Sequence, residues 1–170
     1  PDGEKYYCCV GSLTKIKRFQ FVIESFVKSD LPEDVGLKII GDGPLRAEIE
    51  NWLAVHQCSE RIKLLGWQSD PFPVMRHAIG LIHGSLTEGC SNVISEALAL
   101  GTPVIASSSL KDSFSNPFQG SVTYFSSASY SLVDVLNRHA FGLSVGASAK
   151  AISNHRAEIS KKFITFIRNL

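Results

Sequence analysis

Two glutamates, Glu88 and Glu96, stand with seven residues between them in the stretch Ser85-Leu86-Thr87-Glu88-Gly89-Cys90-Ser91-Asn92-Val93-Ile94-Ser95-Glu96-Ala97. Glu88 falls in a loop after an apolar run, and Glu96 falls inside the helix that follows. Gly89 permits close backbone approach, and Ser91 or Asn92 can cap the start of that helix. The free N–H groups and positive dipole end of such a helix suit a diphosphate. One carboxylate before the anion site and one about two turns into the helix could hold hydroxyls on either side of it. A nucleotide sugar has that layout, with sugar, diphosphate and ribose in sequence. Chance also produces such a spacing, and a glutamate on a helix is usually solvated.

The elements that must position these residues alternate strand with helix. Tyr6 to Val10 is a short apolar run ending at Gly11, and it reads as a buried strand. Phe19, Val22, Ile23, Phe26 and Val27 then recur on one helix face. Leu37 to Ile40 is the next strand, turned by Gly41-Asp42-Gly43. Pro44 is placed as a first helical residue, with Leu45, Ile49, Trp52 and Leu53 as the buried stripe. Ile62 to Leu65 form a third strand, closed by Gly66. Asp70-Pro71 opens a short helix to about Ala78. Ile79 to Ile82 make a fourth strand, Ser91 to Leu100 a helix stopped by Gly101, and Val104 to Ala106 a fifth strand. Past Ala106 the pattern weakens: a polar loop over Ser107 to Gly120, a strand over Val122 to Phe125, a short helix over Ser131 to Arg138, and a terminal helix over about Lys150 to Arg168. Ile152, Ile159, Phe163 and Phe166 mark the apolar face of that last helix. Strands joined by helices in this rhythm imply a parallel sheet covered on both faces, with ligands at the carboxyl ends of its strands.

Composition narrows the class. A chain of 170 residues with 44% hydrophobic content suits one domain with a filled core. A formal charge of +1 argues against nucleic acid or an anionic membrane as the main partner. Cys8, Cys9, Cys58 and Cys90 show no zinc-like spacing, which leaves buried, reduced thiols of a cytoplasmic protein. No apolar stretch approaches a transmembrane span. The opening Pro1-Asp2-Gly3-Glu4, entering a strand at once, reads as a boundary cut from a longer chain. His56, His77, His139 and His155 have no partner spacing that suggests a triad or a metal.

The stretch from Glu88-Gly89 through Asn92-Val93 and Glu96-Ala97 to Gly101-Thr102-Pro103-Val104 resembles the signature of GT-B retaining glycosyltransferases, particularly family 4. Val10-Gly11-Ser12-Leu13 followed by Lys17 resembles that family's opening strand, glycine loop and phosphate-binding lysine. Gly41-Asp42-Gly43-Pro44-Leu45-Arg46 is similar to its second loop, and Ile62 to Trp67 to its third strand and base-binding loop. The resemblance covers about residues 6 to 107 and implies a single Rossmann-like three-layer α/β domain over 1–170, with a parallel sheet of about six strands. This would be the donor-binding, C-terminal half of a GT-B architecture, with the N-terminal acceptor domain absent and the isolated domain inactive.

By that resemblance, Glu88 meets the transferred sugar and, with Lys17, is nearest to a catalytic role. Lys17 stabilises the leaving diphosphate. Gly11 and Ser12 belong to the glycine loop, Gly89 permits close approach to the donor, and the backbone of Ser91, Asn92 and Val93 holds the pyrophosphate, with Cys90 either a wall of the pocket or a small core residue. Glu96 holds ribose, and backbone near Leu65 faces the base. The donor is a UDP- or GDP-linked sugar, transferred as a hexose with retention and without a metal. The acceptor is a glycan or lipid-linked glycan, bound by the missing domain. The implied place is the cytoplasm, with the cytoplasmic membrane face open to the full-length protein. Ser12 stands where the family usually has arginine, Cys90 where an aromatic is common, and Ser107 to Ser109 open a loop without the usual glycines. Arg18 either substitutes for the missing arginine or lies on the solvent face of its helix. His83 either touches the sugar or satisfies a local hydrogen bond, and Trp67 either shields the base or packs. Two other classes stay open: a non-catalytic nucleotide-sugar-binding module, and a nucleotide-sugar epimerase or signalling domain of similar fold. The signalling reading needs an aspartate at a strand end, and Asp42 in its glycine turn matches poorly.

Overall fold

A computed structural model describes residues 3–88, 91–111, 122–126, 131–144, 156–162 and 164–165. In chain order these form β1 (Lys5–Val10), α1 (Phe19–Lys28), β2 (Val35–Ile40), α2 (Arg46–Val55), β3 (Ile62–Gly66) and α3 (Phe72–His77). There follow β4 (Gly80–His83), α4 (Asn92–Ala99), β5 (Val104–Ser107), β6 (Val122–Phe125) and α5 (Leu132–Ser144). The six strands form one parallel sheet in the order β3-β2-β1-β4-β5-β6. The direction of winding reverses between β1 and β4. In open sheets of this kind that reversal opens a crevice at the carboxyl ends.

Alternation along β1 explains why both faces are covered. Tyr7 and Cys9 join Ile23, Phe26, Ile49, Leu53 and Leu136 in the core under α1, α2 and α5. Tyr6 and Cys8 point the other way, to Met75, Ile94, Leu98 and Ile159, under α3, α4 and the helical segment 156–162. Removing a side chain such as Leu98 from water is worth about 1.5–3 kcal/mol, so both layers hold the sheet between them.

The elements fall close to the positions expected from periodicity, with local differences. α2 begins at Arg46 rather than at Pro44, because Gly43 N is bound by the Asp42 side chain (2.7 Å) and Leu45 N by the Leu13 carbonyl (3.1 Å). Those bonds make Pro44 and Leu45 a turn. Val27 is 40% exposed instead of core, since a stripe begun at Phe19 has rotated by roughly 80° eight residues later. Trp52 is half-buried and stacks on His56 at 3.9 Å. Cys8 and Cys9 are buried free thiols, whereas Cys58 is only half-buried; Cys90 lies outside the described residues. Burial pushes the Cys8 thiol up to about 12, which makes it inert. α5 runs on to Ser144, past the expected Arg138. Of the terminal helix's expected face, Ile159 is buried, and Ile152, Phe163 and Phe166 lie outside the described residues.

Candidate functional site

The loops that leave β1 and β2 pack backbone on backbone. Gly41 takes φ +133°, and a Cβ there would stand 1.9 Å from the Gly11 carbonyl oxygen. The loop leaving β4 approaches less tightly: a Cβ on Gly84 would meet Val22 Cγ2 at 2.8 Å and the Lys17 carbonyl at 3.3 Å. Leu86 N donates to Ile16 O at 2.9 Å, which fastens the β4 loop to the β1 loop. Lys17 and Glu88 are carried by these two loops, from either side of the switch point. They meet there. Lys17 Nζ donates to Glu88 Oε1 in a close ion pair whose side chains are 21% and 16% exposed.

His83, at the last position of β4, completes the cluster. Its ring is buried, with Nε2 at 3.1 Å from Glu88 Oε1 and 3.3 Å from Ser91 Oγ. Burial, the largest influence, pushes the His83 imidazolium down, against the opposing charge of Glu88, so the ring favours its neutral form. Partial burial pushes the Glu88 carboxyl up. Hydrogen bonding from Lys17 and Ser85, with the charges of Lys17 and His83, outweighs this and holds Glu88 below the ordinary carboxylate value. An ionised carboxylate only accepts, which assigns the ring proton to Nε2. With that nitrogen's lone pair gone, the Ser91 hydroxyl cannot donate to it, and its proton is available to another acceptor.

Ser91 is the N-cap residue of α4, yet its side chain makes no capping bond. The first N–H groups of α4 therefore receive no side-chain cap, as an anion-binding helix start requires. Asn92 is exposed and Val93 half-buried at that start. Glu96 is half-buried further along α4, with no side-chain partner among the described residues. Gly89 and Cys90 lie outside the described residues.

Beside the cluster an open cleft of about 320 Å³ is lined by Gly11, Ser12, Gly41, Asp42, Trp67 and Gln68. Trp67 is 73% exposed, so it is not a packing residue. The ladder between β2 and β3 shifts register after Ile39, pairing Leu64 with Ile39 and Gly66 with Ile40 and leaving Leu65 as the extra residue. Bulges of this kind free backbone groups next to sites. The Leu65 carbonyl accepts from Gln68 Nε2 at 2.9 Å. Leu65 itself does not line the cleft.

Ser12 is exposed, and Arg18 is half-buried. Arg18 adopts the left-handed conformation (φ 56°) at the start of α1, and its guanidinium lies 4.0 Å over the Phe21 ring. It is turned onto that ring rather than lying free on a solvent face. In the loop after β5, Ser109 Oγ donates to the Ser85 carbonyl (3.2 Å) and pairs with Ser107 Oγ (2.8 Å), so this serine run braces the β4 loop. Residues 112–120 lie outside the described residues. Asp42 binds Gly43 N and sits 3.6 Å from Arg46, the arrangement of a turn aspartate. Periodicity and spacing gave no hint of Gln68, nor of the contact between His83 and Glu88. The available signal for His83 was a histidine closing the apolar run Leu81-Ile82. Among the described residues no three His, Cys, Asp or Glu side chains gather in a metal-like group, and no helix is long and apolar enough to cross a membrane.

Comparison with known proteins gives the fold and the family. Anabaena HepE in complex with UDP superposes with a TM-score of 0.71 at 19% identity, over 93% of this chain and 44% of that one. The pneumococcal O-GlcNAc transferase GtfA, solved with UDP and GlcNAc, gives 0.70 at 18% identity over 95% of this chain and 32% of that one. In sequence, the chain is 34% identical over 98 residues to an uncharacterized glycosyltransferase of Methanocaldococcus jannaschii, covering 57% of this chain and 24% of the relative. It is 30% identical over 102 residues to N-acetylgalactosamine-N,N'-diacetylbacillosaminyl-diphospho-undecaprenol 4-alpha-N-acetylgalactosaminyltransferase of Campylobacter jejuni, covering 60% and 27%. The chain thus spans about a quarter of the length of these relatives. The family model for glycosyl transferases group 1 matches residues 4–117, from the start of the sheet through both glutamates. The chain belongs to the glycosyl transferases group 1 family, with the Rossmann-like fold of the GT-B type.

Proposed function

We propose that this domain binds a UDP- or GDP-linked sugar and supplies the donor half of a retaining hexosyl transfer. The observation that carries the reading is the meeting of Lys17 and Glu88 at the switch point, against a helix start without a side-chain cap. A diphosphate lying there would take N–H groups of Asn92 and Val93, the Lys17 ammonium and the proton of Ser91. When the bond from the sugar's anomeric carbon to the diphosphate breaks, the electron pair leaves with the nucleotide. Lys17 and the α4 dipole stabilise the charge that develops there, without calling on a metal. Glu88 then faces the sugar, Glu96 the ribose hydroxyls, and Trp67 with the Leu65 bulge the base. The UDP complexes of the structural neighbours support the nucleotide part of this reading. Acceptor recognition falls to protein beyond these residues, so the domain alone binds donor and transfers little or nothing. Buried free Cys8 and Cys9 suit work in the reducing cytoplasm.

Calorimetry with UDP, GDP and their hexose conjugates tests the reading. Lys17→Ala should weaken nucleotide binding by roughly ten- to a hundredfold, the worth of a charge-assisted contact of about 1.5–3 kcal/mol. Unchanged affinity for every nucleotide that the parent binds would overturn it. A second reading, a non-catalytic nucleotide-sugar-binding module, is favoured by exposed Ser12 and by the diversion of Arg18 onto Phe21. A transfer assay on the full-length protein separates the two: donor binding without turnover over any acceptor selects the module.

A further inference from the structure

Lys17 and His83 both donate to one oxygen, Oε1 of Glu88, and they differ in every property that matters when an anion arrives. Lys17 carries a full charge on a flexible four-carbon stem, and a diphosphate beside α4 competes directly for it. His83 is neutral, 3% exposed and fixed at the end of a central strand, so a diphosphate has little hold on it. Once Lys17 turns to the phosphates, a carboxylate with 16% side-chain exposure has lost its cation. An ionised group so placed needs another donor or it will move or take up a proton.

We propose that His83 is a positioning residue that keeps the Glu88 carboxylate in place when Lys17 is drawn from it to the donor's diphosphate. The proposal rests on the donor-binding reading above. In the free domain Lys17 and His83 share Glu88. In the bound domain Lys17 belongs to the diphosphate, and the His83 Nε2–H alone sets the carboxylate toward the sugar hydroxyls. Ser91, whose proton the protonated Nε2 leaves free, turns it to the phosphate. Nucleotide binding and sugar placement are thus divided between two residues that meet on one atom.

Calorimetry on the parent chain, His83→Phe and His83→Gln tests this with UDP, GDP and their hexose conjugates, alongside thermal melts. His83→Phe should hold free nucleotide within about twofold of the parent and lose about tenfold of the extra affinity that the sugar confers. His83→Gln, whose carboxamide can donate to Glu88, should recover most of that gain. Should His83→Phe not fold, ring-nitrogen NMR of the parent with UDP bound decides: Nε2–H supports the proposal, and Nδ1–H overturns it. Full retention of the sugar-dependent gain in His83→Phe, or equal loss toward nucleotide and nucleotide sugar, contradicts the proposal alone. So does a parent to which the sugar adds no affinity. A parent chain that binds no nucleotide contradicts the functional reading and this proposal together.

Discussion

Glu88 and Glu96 sit on the same helix–loop unit, yet they should fail in different ways. Glu96 is half-buried on α4, with no side-chain partner among the described residues, and is proposed for ribose, a part of the donor that does not react. Glu96→Ala should weaken nucleotide and nucleotide sugar alike. Glu88→Gln should spare free nucleotide and, in the full-length protein, lower turnover more than donor affinity, because contacts that strengthen in the transition state act on rate. Calorimetry on the domain and kinetics on the full-length protein distinguish the pair; normal turnover in Glu88→Gln rules out the sugar assignment. The cluster also predicts an acid-sensitive fold. Burial pushes both His83 and His139 below the usual histidine value of 6.5, so between the folded and unfolded values the unfolded chain binds more protons. Their stabilising contribution is complete above about pH 6.5 and is lost as the pH falls through the folded values. Glu88, held below 4.5, adds a second loss at lower pH. Melting temperature should therefore fall steadily from pH 7 to pH 5, and His83→Gln should flatten that slope while leaving the part due to His139. An unaltered slope in His83→Gln contradicts the burial argument.

Loop glycines convert this chemistry into architecture. At Gly41 the backbone lies in a region that side chains rarely adopt, and a Cβ would strike the Gly11 carbonyl. Gly41→Ala should cost about 1–3 kcal/mol, read as a lower melting temperature, and should loosen the cleft wall that Gly11 and Ser12 share. A variant as stable as the parent would mean that the loops can separate freely. β1 to β4 were legible because each is a short apolar run that ends at or beside a glycine, and β1 through β5 fall within two residues of the expected bounds. The Glu88 loop and α4 were legible for the same reason, through Gly101 and the apolar stripe of Ile94, Ala97 and Leu98. The contact of Lys17 with Glu88 was not, since 71 residues separate them and only the strand order makes them neighbours. Nor was the Leu65 bulge, which depends on the pairing of two strands rather than on β3 itself. Pro44 misled because a proline suits a turn as well as a first helical position.

Among the described residues, a sheet lies between two helical layers, with the Lys17, His83 and Glu88 cluster at the carboxyl end of its central strands, β1 and β4. The amino-terminal ends of β1, β2 and β3 offer Glu4, Asp34, Lys38, Glu60 and Lys63 around a shallow hollow, charges of both signs that favour water over a diphosphate. On the proposed function, nucleotide binds at the carboxyl end of the sheet and not at this hollow. Amide NMR spectra of the chain titrated with UDP and with GDP test it most directly. Saturable shifts are expected in Gly11 to Lys17, Gly84 to Glu88 and Ser91 to Val93, with smaller ones at Leu65 to Gln68, for at least one of the two nucleotides. Shifts clustered around Asp34, Lys38 and Lys63 instead, or unperturbed spectra at millimolar concentrations of both, would contradict it.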